Sequence, residues 1–77
     1  STFLVTIAIT TDASKNYLLD IISKATSKKV YVDGVKTKSD HLDTIYMITL
    51  KVANKAKLED FMNSLYSYKF VKKVERI

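Results

Sequence analysis

The run Leu42-Asp43-Thr44-Ile45-Tyr46-Met47-Ile48-Thr49-Leu50-Lys51-Val52-Ala53 decides the fold of this chain. Leu42, Thr44, Tyr46, Ile48, Leu50 and Val52 alternate with Asp43, Ile45, Met47, Thr49, Lys51 and Ala53, the period of two expected of a strand. No other strand-like run is as long. Because Ile45 and Met47 are also apolar, both faces of its middle are expected to be covered, with another subunit a candidate for the second.

Upstream of this strand, Lys36 to His41 reads as a polar turn. Before the turn, Val30, Val32 and Val35, with Tyr31 between, give a strand interrupted by Asp33-Gly34, where the glycine marks a bulge or bend. A helix precedes that strand, with Leu18, Ile21, Ile22 and Ala25 on one face and Asp20, Ser23, Lys24 and Ser27 facing water. It is expected to end near Lys28-Lys29, whose charges suit the negative end of the helix dipole. Ser14 or Asp12, in the turn-forming stretch Thr11 to Asn16, is the expected N-cap. From Thr2 to Thr10, Phe3, Val5, Ile7 and Ile9 alternate with Thr2, Leu4, Thr6, Ala8 and Thr10, a period of two with one strongly apolar face, and give the first strand.

Downstream, Asn54 is placed to cap a second helix, whose inner face is Leu58, Phe61, Met62 and Leu65. Tyr66, Tyr68 and Phe70 close it. Val71, Val74 and Ile77 form a last short strand, and the density of Lys72, Lys73, Glu75 and Arg76 suits a sheet edge. Two strand-helix-strand units joined by a hairpin around Ser39-Asp40 predict an α+β fold over residues 1–77. It is a single βαββαβ ferredoxin-like sandwich, with a four-stranded antiparallel sheet and two helices on one face.

At 77 residues and 47% apolar, the chain is one domain with a thin core. No apolar run approaches the roughly 20 residues that span a bilayer, so no membrane role is expected. The chain has no cysteine, which removes disulfides and thiolate metal sites and suits a reducing, cytoplasmic setting. Thirteen Lys and Arg against eight Asp and Glu give net charge +5, which permits attraction to polyanions such as RNA. Twelve of the thirteen are lysine, leaving Arg76 as the single bidentate phosphate donor. Starting and stopping on a strand, the chain is expected to be an excised piece of a longer protein.

The polar residues contain no set that could run a reaction, so no catalytic residue, cofactor or metal site is expected. His41 is the only histidine, flanked by Asp40 and Asp43 in a polar turn, so neither a histidine metal site nor a catalytic triad can be completed. With Gly34 the sole glycine, no glycine-rich phosphate cradle exists. An acylphosphatase-type enzyme needs an arginine at its phosphate cradle, and Arg76 at the chain end is poorly placed for it. Two weak candidate surfaces remain. One is the segment after the first strand, where Asp12, Ser14, Asn16 and Tyr17 meet a helix N-terminus that can hold a carboxylate-bearing ligand. The other is the set Lys28, Lys29, Lys36, Lys38, Lys72 and Lys73, which can contact RNA or a protein partner.

Four runs carry a family resemblance: Val5-Thr6-Ile7-Ala8-Ile9-Thr10-Thr11-Asp12, Leu18-Leu19-Asp20-Ile21, Ile48-Thr49-Leu50-Lys51-Val52 before Leu58 and Leu65, and Val71-Lys72-Lys73-Val74-Glu75-Arg76. Together they resemble an ACT domain, most closely the C-terminal ACT domain of RelA/SpoT-type (p)ppGpp synthetases and hydrolases. The resemblance implies a non-catalytic regulatory domain whose parent, a GTP pyrophosphokinase, transfers pyrophosphate from ATP to GTP or GDP in the stringent response. It implies action through ribosomal RNA, other domains of the parent, or a homodimer formed through a sheet edge or the second sheet face. The alternative it offers is an amino-acid-binding effector domain of a metabolic enzyme. The family pattern Asp-Arg-x-Gly-Leu-Leu departs here to Asp12-Ala13-Ser14-Lys15-Asn16-Tyr17-Leu18-Leu19, with Asn16 or Tyr17 where the glycine stands. Asp12 matches; the glycine that admits a ligand does not.

Overall fold

Strand β1 (Phe3–Asp12) lies antiparallel to β3 (Asp43–Val52) in ten unbroken pairs, from Phe3 opposite Val52 to Asp12 opposite Asp43. That register puts Val5, Ile7 and Ile9 beside Leu50, Ile48 and Tyr46 on one face. Edge strands β2 (Tyr31–Ser39) and β4 (Val71–Arg76) pair with β3 and β1 respectively, giving the antiparallel order β2-β3-β1-β4. Helices α1 (Leu18–Ser27) and α2 (Lys55–Leu65) connect them in a βαββαβ chain. The computed structural model describes all 77 residues.

Ile21 and Ala25 of α1, with Leu58, Phe61 and Leu65 of α2, join the inward β1 and β3 rows in one buried cluster. Both helices therefore cover the same sheet face. Helix α2 starts as expected, with the Asn54 side chain accepting from the Lys57 N–H at 2.8 Å. No helix is long and apolar enough to cross a membrane.

The structure corrects three local expectations. First, β1 extends to Asp12, because Thr11 and Asp12 continue the pairing with Thr44 and Asp43, and the Asp12 N–H reaches the Phe70 carbonyl. Second, neither Ser14 nor Asp12 caps α1: Tyr17 occupies the N-cap position without a side-chain bond, and Asn16 Oδ1 accepts the Leu18 N–H at 2.9 Å. Third, Lys36, Thr37 and Lys38 belong to β2, and the turn shrinks to Asp40–Leu42, where Asp40 Oδ1 accepts from the Leu42 and Asp43 N–H groups. Polar side chains persist in a strand when they point to solvent while the backbone completes its ladder.

Both edge strands are bulged. Asp33 is the extra residue in β2, between Val32 opposite Leu50 and Gly34 opposite Thr49, and Lys72 is the extra residue in β4. Helix α1 ends with the Lys29 N–H on the Thr26 carbonyl and the Val30 N–H on the Ala25 carbonyl, the two bonds of a Schellman motif. Lys29 holds the left-handed position at φ 59°, where glycine carries no Cβ penalty. Lys29→Gly is expected to raise the unfolding midpoint by several degrees, about 1 kcal/mol, and Asn54→Ala to lower it by a similar amount, both read by thermal unfolding.

Candidate functional site

The segment from the end of β1 to the start of α1 brings Asp12, Ser14 and Tyr17 into one hydrogen-bonded group. Asp12 Oδ1 accepts from the Ser14 N–H (3.0 Å), the Ser14 hydroxyl (2.6 Å) and the Tyr17 hydroxyl (2.9 Å), and the two hydroxyls stand 2.8 Å apart. Asn16 stays outside the group, bonded to Leu18. The Tyr17 N–H donates to the buried Tyr46 hydroxyl at 2.9 Å, which ties the helix start to the centre of β3.

The Tyr17 ring is almost fully buried and stacks on Phe70 with centroids 3.8 Å apart and planes 5° from parallel. Phe70 stacks in turn on Tyr68, and Lys24 Nζ lies 5.0 Å from the Tyr68 centroid. Tyr17, one of the two residues expected where the resemblance has a glycine, thus fills the loop with its own ring. The polar groups of Asp12, Ser14 and Tyr17 are engaged with one another, and the three cavities of the structure lie elsewhere.

Hydrogen bonds from the Ser14 hydroxyl and the Ser14 N–H hold the Asp12 carboxyl below its ordinary range, against a smaller desolvation cost, with help from Tyr17 and Lys72. Lys72 Nζ sits 2.5 Å from Asp43 Oδ1. That bond, then the charges of Asp43, Asp12 and Asp40, hold the ammonium above the usual lysine range. His41 is exposed in the β2–β3 turn.

The six candidate lysines do not converge. Lys36 and Lys38 lie on β2, Lys72 and Lys73 on β4 at the opposite sheet edge, and Lys28 and Lys29 at the end of α1. Lys28, Lys72 and Lys73 are already paired with Asp60, Asp43 and Glu75.

The sheet face away from the helices carries Leu4, Thr6, Ala8 and Thr10 of β1 beside Lys51, Thr49, Met47 and Ile45 of β3. Its middle is a trough of about 670 Å³ crossing the strands. Gly34, Thr49 and Thr6 lie side by side across it, and Leu4, Met47, Lys36 and Ile77 also line it. The Thr6 and Thr49 hydroxyls bond each other at 3.2 Å, and the Ile77 N–H caps the Thr6 carbonyl. Sequence reasoning did not single out this surface. Its signal was the pair of threonines, Thr6 and Thr49, at outward positions of the two central strands.

A family profile described as "ACT domain" matches residues 1–76. No curated protein sequence matches. Among solved structures, the ACT domain from GTP pyrophosphokinase of Chlorobium tepidum is similar at TM-score 0.84 and 19% identity, over 100% of both chains. The C-terminal domain of the MgtC protein from Mycobacterium tuberculosis is similar at TM-score 0.70 and 20% identity, over 96% of this chain and 84% of that one. A homoserine dehydrogenase from Thiobacillus denitrificans is similar at TM-score 0.70 and 17% identity, over 97% of this chain and 17% of the other. At these identities the likenesses speak to the fold.

Because Asp12 is depressed in the folded state, the stability it contributes is present above the ordinary carboxylate range and is lost as pH falls through its folded value. Ser14→Ala removes the largest cause and is expected to move the Asp12 titration upward, further than Tyr17→Phe does, in carboxyl-detected NMR. Equal titrations in both variants and the parent chain would refute the network.

Proposed function

We propose that this chain, which belongs to the ACT domain family, is the regulatory domain of a RelA/SpoT-type (p)ppGpp synthetase and hydrolase and works through macromolecular contact. The observation that carries the contact reading is Tyr17. Its ring, stacked on Phe70, and its hydroxyl, bonded to Asp12 and Ser14, occupy the loop where the alternative reading would seat an amino acid. The parent assignment is supported by the four sequence runs and by the full-length likeness to the domain from GTP pyrophosphokinase. On that reading the chain performs no chemistry, and the parent's pyrophosphate transfer from ATP to GTP or GDP is what it regulates.

Protein contact is favoured over RNA because the candidate lysines are dispersed and three are ion-paired. The partner we favour at the sheet edge is a second copy joined through β2. On β4 the Lys72 bulge breaks the ladder, and the Val74 N–H is taken by the Tyr66 hydroxyl at 2.9 Å. On β2, Gly34 to Ser39 runs in regular register beyond the Asp33 bulge. Such an edge accepts an added strand through main-chain hydrogen bonds.

Thermal unfolding against each of the twenty amino acids is expected to give a flat response. A bound amino acid at 100 times its Kd would add about 2.7 kcal/mol, and such a rise would favour the effector-domain reading instead. Sedimentation at low and high salt is expected to give a species of twice the 8.8 kDa chain mass, insensitive to salt; a monomer throughout would refute edge pairing.

A further inference from the structure

The outer edge of β4 is closed by a side chain of its own fold. Where β4 pairs with β1, the Ile77 N–H bonds the Thr6 carbonyl, so the alternate residues Val74 and Arg76 turn their backbone groups away from β1. The Tyr66 hydroxyl meets both groups of Val74. It accepts from the Val74 N–H at 2.9 Å and donates to the Val74 carbonyl at 3.3 Å. These are the two bonds that an added strand would make at that residue. Tyr66 holds the C-cap position of α2, and its ring is 52% exposed and lies outside the buried cluster. Its hydroxyl bonds nothing else, so this contact is what the tyrosine contributes there.

We infer that β4 is a second self-pairing edge held shut by the Tyr66 hydroxyl, and that the partner it excludes is β4 of a second copy. Charge selects both the occupant and the register. Antiparallel pairing centred on Val74 lets the two copies of Val74 exchange both backbone bonds, and it sets Lys73 opposite the second copy's Glu75, and Glu75 opposite its Lys73. Lys73 and Glu75 share the uncovered sheet face, opposite Thr10 and Ala8. The next registers to either side would set Glu75 against Glu75, or Lys73 against Lys73, like charges directly opposite. Lys73 and Glu75 already pair within the chain at 3.3 Å, and exchanging one exposed partner for another costs little. Lys72, which this register brings beside the second copy's Arg76, is the bulged residue and is neutralised by Asp43. The bulge keeps the ladder short, so the pairing it allows is concentration-dependent.

The consequence is a limit on assembly. β2 and β4 are the opposite edges of one sheet. A chain that paired through both would extend without end, whereas a sealed β4 leaves a contact that closes at two copies. The inference goes beyond the contact reading above and does not need β2 to pair.

Light scattering across protein concentration tests it on the parent chain, on Tyr66→Phe, which removes only the hydroxyl, and on Tyr66→Ala, which clears the ring as well. In both variants the mass is expected to rise with concentration toward at least twice that of the parent. Glu75→Lys added to either variant is expected to return the mass to the parent's, and by itself to leave the parent's mass unchanged. Association of misfolded chains would not be reversed in this way. Masses equal to the parent's in both variants, or a rise that Glu75→Lys fails to reverse, would overturn the inference. A rise in Tyr66→Ala alone would assign the block to the ring and overturn the role of the hydroxyl. Because each variant is compared with the parent, a monomeric parent sinks the β2 pairing and leaves this comparison intact.

Discussion

Everything in this domain hangs on the register between β1 and β3. A slip of one residue would turn Val5, Ile7 and Ile9 away from the helices and bring Thr6, Ala8 and Thr10 beneath them. The pairing is held by the apolar residues themselves: Val5, Ile7 and Ile9 lie beside Leu50, Ile48 and Tyr46, all nearly inaccessible, under Phe61, Leu65 and Ile21. Burying one such side chain is worth about 1.5–3 kcal/mol, so a register error that exposed several would exceed the net stability of an ordinary small domain. The helices then have one face to cover, and the opposite face is left without a layer.

Tyr46 links that core to the β1–α1 loop. It belongs to the inward row of β3, yet its hydroxyl accepts the Tyr17 N–H, satisfying a donor at a helix start that lacks a cap of its own. A buried hydroxyl left without a partner would cost roughly 1–3 kcal/mol, so the bond fixes where α1 begins. With its backbone anchored there, the Tyr17 ring falls against Phe70, and its hydroxyl reaches Asp12 and Ser14. The filling of this loop by Tyr17 is thus coupled to a core residue 29 positions later in the chain.

The fold was legible because its signals are periodic. Alternation over residues 42–53 and the Leu58, Phe61, Leu65 spacing needed no tertiary information, and the core rows match them from Tyr46 to Val52 and over the helix face, while Leu42, expected in the same row, lies exposed in the turn before β3. The cap of α1 was not legible. Its bond comes from Tyr46, far in sequence, while Asp12 and Ser14 have the composition of a cap but bond each other. The loop residues were named from composition, but their closure into a network with Tyr17, and the aromatic stack behind it, depend on where the chain places Phe70 and Tyr68. The trough was missed because it is made of small residues that carry no motif.

The bulges explain why that trough exists. In both edge strands, valines that face the core stand three apart, Val32 and Val35 in β2, Val71 and Val74 in β4, where a regular strand would place them two or four apart. One extra residue in each strand reconciles that spacing with a single buried face. In β2 the extra residue was signalled by Asp33-Gly34; in β4 the same three-residue spacing was present and went unread. Without the Asp33 bulge, Gly34 would lie opposite Ile48 on the helix side, and Val35 would point outward. With it, Val35 packs in the core and Gly34 opens the far face opposite Thr49. The extra residues, Asp33 and Lys72, pair with Lys51 and Asp43 at the two ends of β3. Exposed pairs of this kind add less than about 1 kcal/mol each, so their consequence is electrostatic placement more than stability.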